Sequence, residues 1–137
     1  MPDNTPMGSQ LVYESARLFS VFGYSMSHGL LLLRSGKSDE HANTRVDVLF
    51  QDVRALEIRA WFKGIRIEEE DNPEFLKNQR SRPTQLVEPG NKTYLLRSTG
   101  WEGFVVAGLV QFVEDTGELF DPSGLVAEPP VKRWSLG

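Results

Sequence analysis

Residues 45–70 read RVDVLFQDVRALEIRAWFKGIRIEEE, and their alternation decides the fold. In RVDVLF, Val46, Val48 and Phe50 alternate with Arg45, Asp47 and Leu49. In LEIRAWF, Leu56, Ile58, Ala60 and Phe62 alternate with Glu57, Arg59 and Trp61. In GIRIEEE, Ile65 and Ile67 alternate with Arg66 and Glu68. Successive strand side chains point to opposite faces, so three period-two runs describe an antiparallel meander with an apolar face and a wet face. Its breaks fall at Gln51–Arg54 and at Lys63–Gly64. A turn or bulge at Gly64 accounts for the change of parity there. This parity puts Phe50 and Phe62 in the core.

The same pattern extends outward from this stretch. Upstream, HGLLLLRS (28–35) is apolar on both sides and suits a strand covered on both faces. Further upstream, QLVYESARLFSVFG (10–23) places Leu11, Val12, Ser15, Ala16, Leu18, Phe19 and Phe22 at helical spacing. Ser9 is a candidate cap and Gly23 a candidate stop, so the spacing predicts an N-terminal helix. Tyr13, Val21 and the phenylalanines, all good strand formers, argue for a strand instead. Downstream, DNPEFLKNQRS predicts a short helix near 73–81. KTYLLRS is a strand, TGWEG a turn that puts Trp101 near the end of the sheet, and FVVAGLVQFVED a central strand in which Gly108 marks a bulge or a close backbone approach. The expected fold is mainly β: a meander curled into a half-barrel or a small sandwich, with two helices. Residues 1–137 form a single domain with loose tails at 1–9 and about 127–137.

Composition excludes several functions. The 137 residues suffice to bury roughly two-thirds of the unfolded surface without a disulfide or metal. There is no cysteine, which removes zinc ribbons, iron–sulfur clusters and thiol catalysis. A net charge of −4 with scattered basic residues opposes nucleic-acid binding. The longest strongly apolar stretch, GFVVAGLVQFV, is too short to span a bilayer, and MPDNTPMGSQ does not read as a secretory signal, so a soluble, cytoplasmic protein is expected.

Few residues suggest chemistry. Of two histidines, His41 lies in a charged loop, while His28 heads the leucine run. A buried imidazole bonded to a carbonyl or hydroxyl is the structural reading of His28. A catalytic role would need a carboxylate that no motif supplies. Ser27 and His28 are not a nucleophile–base pair if both lie on a strand, where neighbours point apart. Glu68–Asp71 lack the ligand spacing of a calcium loop and read as a solvated strand end. No phosphate loop, nucleophile elbow or zinc-protease motif is present, and no metal or cofactor is expected.

Trp61 is the odd residue. Its parity sets it on the wet face among Glu57, Arg59 and Lys63. Either it anchors an interface or a loop folds over it. With Arg59, Lys63 and Trp134 of the tail it makes up the candidate interface set.

The order of features carries a resemblance. An early segment ends in FGYSMSH, an apolar strand runs to LLLLRS, and a hydrophilic loop leads to RVDVLFQDVRALEIRAWFKGIRIEE. A late strand GFVVAGLVQFVED then precedes DPSGL. This layout resembles small β-rich bacterial proteins counted among the immunity proteins of polymorphic toxin systems. The resemblance implies a binding protein that blocks a toxin by contact. Where that family commonly follows the histidine with Asp, this chain has Gly29, so no His–Asp pair carries over.

Two functions follow. One is a non-enzymatic protein-binding module, immunity-like or self-associating, whose acidity would suit a basic nuclease partner. The other is a small-ligand binder or enzyme using a half-barrel pocket near His28. A filled interior favours the first, and a pocket joining His28 to a carboxylate favours the second.

Overall fold

The segment with helical spacing is the longest strand. A computed structural model describes residues 9–38, 43–70 and 90–125. The helix expected over 73–81, His41, Asp71, Trp134 and the tails at 1–8 and 127–137 lie outside these residues. Among the described residues all regular structure is β, so none of them forms a helix long and apolar enough to cross a membrane.

Strand β1 spans Ser9–Ser25. It pairs antiparallel with β5 (Trp61–Glu70) on one edge and with β2 (Leu30–Ser35) on the other. The register shifts at three places: between Leu11 and Tyr13, between Ser15 and Leu18, and between Val21 and Gly23. At each, β1 spends one residue more than its partner. Every such bulge moves the following side chains to the other face. The inward residues are therefore Val12, Tyr13, Phe19 and Val21, while Phe22 packs outside. Bulges convert a period of two into an irregular spacing that imitates a helix. What decides for the strand is that β5 pairs with residues 9–20 of β1 and β2 with residues 20–25, so neighbouring strands take up its backbone groups along its length, together with its β-branched and aromatic residues.

The parity break at Gly64 has the same origin. Gly64 takes φ +82°, within the register shift between Ser15 and Leu18. The chain continues through it as one strand, with Phe62, Ile65 and Ile67 buried. The other break is a real interruption. β3 (Arg45–Gln51) ends at Asp52, which has φ +57°, and β4 is only Ala55–Glu57. LEIRAWF is thus split between β4, the connection 58–60 and the start of β5. FVVAGLVQFVED is also split, with β7 (Trp101–Ala107) and β8 (Leu109–Asp115) meeting at Gly108. A Cβ on Gly108 would lie 3.1 Å from Cβ of Asp52, and its N–H donates to the Gln51 carbonyl at 2.9 Å. This is the close approach expected there, but β8 lies at the end of the sheet order, not its centre. β6 (Lys92–Ser98) and β7 form a hairpin around Thr99–Gly100. Trp101 opens β7, where it packs against Phe62.

The strands form one antiparallel sheet in the order β4-β7-β6-β5-β1-β2-β3-β8. It is not closed into a barrel, since β4 and β8 at its ends pair with β7 and β3 and not with each other. One core nevertheless draws on all eight strands. Phe19, Leu33, Val48, Phe50, Phe62, Ile67, Leu96 and Val105 are buried in it, with Leu56 and Phe112 packed against them.

The wet face expected of RVDVLF is not wet. Arg45, Asp47 and Leu49 are all buried. Leu49 joins Leu30 and Leu32 of β2 in an outer apolar cluster, against which Phe22 and Leu125 pack. β2, buried along its whole length, matches the two-sided burial that HGLLLLRS implies.

Candidate functional site

Two neighbouring regions of the outer surface differ in what covers them. On the β2–β3 side, the guanidinium of Arg34 donates from Nε and Nη2 to both oxygens of Asp47, at 2.7 and 3.0 Å. Its Nη1 donates to the carbonyls of Leu119 and Asp121. Arg45 donates from Nε and Nη2 to the two oxygens of Asp115, both at 3.0 Å. It also reaches the carbonyls of Glu118, Asp121 and Pro122. Two arginines thus hold segment 117–122 across the sheet through its backbone. Arg34 lies 4.3 Å over the Phe22 ring, and Lys37 Nζ meets Glu118 Oε2 at 2.7 Å.

The electrostatics follow from this geometry. The hydrogen bond from Arg45 holds the Asp115 carboxyl below its ordinary value, against the opposing effect of burial. Burial pulls Arg45 down, but Asp115, Asp47 and Asp121 together carry it above its ordinary value, so it is always charged. Bidentate pairs of this kind are geometrically specific, and breaking one inside a protein leaves an uncompensated charge.

On the β1–β5 side the region around Trp61 is bare. Ser20 pairs with Trp61, Phe19 with Phe62 and Leu18 with Lys63. Phe62 turns inward, 4 % exposed, and meets Trp101 at 5.0 Å with the rings at 64°. Trp61 turns outward and is 68 % exposed. Two grooves flank it. One, of about 550 Å³, is lined by Leu18, Trp61, Lys63, Lys37 and Leu119, with Arg34 at its base. The other, of about 420 Å³, is lined by Arg59, Ala60, Trp61, Lys63, Thr99 and Trp101. The indole is the ridge between them.

The structure brings together Trp61, Arg59 and Lys63, as their shared parity implies. Sequence reasoning missed Leu18, Lys37 and Leu119, which build the wall of the larger groove. Leu18 was concealed by the helical reading of β1. Leu119 reaches the site because Arg34 and Arg45 hold its backbone, a contact without a local signal. Nε1 of Trp101 is buried with no acceptor in reach among the described residues.

His28 is not the buried residue that the leucine run implies. The strand begins only at Leu30. Residues 26–29 are a turn closed by Gly29 at φ +61°, and His28 is exposed. Its Nδ1 lies 2.9 Å from Ser25 Oγ and 3.1 Å from Ser27 Oγ. Ser27 and His28 do face one another, since a turn does not impose the alternation of a strand. His28 lines neither groove. Glu68 is likewise buried at the end of β5, paired with Arg66 at 2.7 Å and near Arg97, so this part of the acidic run is laced with ion pairs and not solvated. Among the described residues no three His, Asp or Glu side chains cluster as a metal site would require.

No family model matches the chain, and neither a curated protein nor a solved structure matches it.

Proposed function

We propose that this chain is a non-enzymatic binding module that engages another protein through the surface around Trp61. The observation that carries this reading is an indole 68 % exposed on a paired strand, between two grooves. Tryptophan is among the residues that most often dominate interface energies, because it offers a large rigid area at low entropic cost. The supports beneath it are rigid. Phe62 locks the strand from inside, and the arginine-held segment fixes the opposite wall. The resemblance of the sequence's layout to immunity proteins implies a protein that acts by contact. A ligand site built on His28 has less behind it, since His28 stands in an exposed turn away from both grooves.

The test is affinity capture from cells of the natural source, using the wild-type chain, Trp61→Ala and Met26→Ala as baits. Met26 is 82 % exposed but lines neither groove, which makes it a matched control. A protein held by the wild type and by Met26→Ala, and lost with Trp61→Ala, is the expected result. Capture indifferent to Trp61, or no protein enriched over bare resin, overturns the reading.

A further inference from the structure

The two ends of the sheet order are unequal. β4 is only Ala55–Glu57, too short to template another strand. β8 runs through Leu109–Asp115 and pairs with β3 over its whole length, from Gln51 opposite Leu109 to Arg45 opposite Asp115. Among the described residues no strand pairs with its other edge. No residue of β8 is fully buried, whereas β2 is buried throughout. Val110 and Phe112 only half enter the core, and Leu109 is 41 % exposed. Edge strands are commonly blunted by lysine, proline or a bulge. The stretch LVQFV (109–113) holds no lysine or proline, and its register with β3 is unbroken.

We infer that this edge is completed by β8 of a second copy of the chain, antiparallel and centred on Gln111. The sequence is self-complementary about that residue. Leu109 falls opposite Val113 of the second copy, Val110 opposite its Phe112, and Gln111 opposite itself. Apolar side chains then meet on both faces of the joined sheet, the pairing that stabilises cross-strand contacts. Glu114 and Asp115 fall outside the paired stretch, so no like charges meet. An axis moved to Glu114 would set that carboxylate against its own copy. The contact is isologous and closes as a dimer with no edge of β8 left over. It is independent of the docking reading, because neither groove beside Trp61 includes a residue of β8.

The experiment is sedimentation equilibrium of the full chain and of Gln111→Lys, Gln111→Glu, Met26→Lys and Trp61→Ala. Gln111 is exposed, so either charge is tolerated by the fold, and Met26→Lys adds the same charge in a turn away from β8. The wild type, Met26→Lys and Trp61→Ala should dimerise alike. Gln111→Lys and Gln111→Glu should each raise the dissociation constant about tenfold or more, and an equal mixture of the two should dimerise again, because opposite charges then meet at the axis. Cysteine placement reads the register in a chain that has none of its own. Directly opposed strand residues are close enough for a disulfide. Gln111→Cys should therefore cross-link with itself on mild oxidation, and Leu109→Cys only with Val113→Cys. A wild type that stays monomeric at its solubility limit, dimers indifferent to charge at Gln111, a mixture that fails to reassociate, or dimers lost with Trp61→Ala would each overturn the inference. None of these results except the last bears on the surface around Trp61.

Discussion

The outer side of β2–β3 and the outer side of β1–β5 begin from the same pattern. Each sets charged residues at alternate positions: Arg45 and Asp47 on one, Arg59 and Lys63 on either side of Trp61 on the other. Parity assigns both to solvent. On β2 and β3 the charged residues are buried, with the side chains of Arg34 and Asp47 1 % and 0 % exposed. On β5 the tryptophan is bare. The difference is the chain that arrives later. Segment 117–122 presents carbonyls to two arginines on one side, and among the described residues the region around Trp61 receives only the edge of that segment, at Leu119. Polar alternation therefore marks a face as outward, not as wet. A buried pair on an outward face is stable only if a distant segment supplies the remaining hydrogen bonds.

The comparison can be broken most directly at Asp47. Asp47→Ala leaves Arg34 charged, buried and short of its main partner, and should cost about 3–5 kcal/mol in urea unfolding. That is as much as Phe50→Ala, which empties the core and should cost about 3–5 kcal/mol. Replacing Arg34 and Asp47 together by Met and Leu should recover much of the loss, because no charge is then stranded. A loss below about 1 kcal/mol for Asp47→Ala would mean that the clad side is as wet as the bare one.

Acid should act on the same side. Asp115 has a folded pKa below its ordinary 3.8, so its contribution is fully present above that value and fades as pH falls below it. Stability of the wild type should therefore drop through this acid range. Asp115→Asn should flatten the drop and be less stable at neutral pH. Unfolding measured from pH 2 to 7 reads both effects, and identical acid slopes would show that Asp115 is not held by Arg45.

The bare side should be thermodynamically quiet. Trp61→Ala should change stability by no more than about 0.5 kcal/mol while altering partner binding. His28→Ala should do as little, since the side chain stands in an exposed turn. Thermal unfolding of both variants sharpens the contrast. A Trp61→Ala protein as unstable as Phe50→Ala would place the indole inside the fold.

Local sequence determined the β class, the inward direction of Phe50 and Phe62, the outward direction of Trp61, and the close backbone approach at Gly108. These follow from alternation and from the steric permissiveness of glycine, which act over a few residues. Tertiary structure alone decided that β1 is a strand. A bulge is an extra residue relative to a partner, so it has no meaning in one chain segment read alone, and three of them erased the period of two. Tertiary structure also decided which outward face is buried. Arg45 finds Asp115 at 70 residues' separation and Arg34 finds Leu119 at 85, and no local pattern encodes contacts at that range. The site around Trp61 divides the same way. Arg59, Trp61 and Lys63 were legible because they stand at alternate positions of one short local stretch. Leu18, Lys37 and Leu119 were not, because a groove wall exists only after β1 has bulged past β5 and the arginines have drawn segment 117–122 across the sheet.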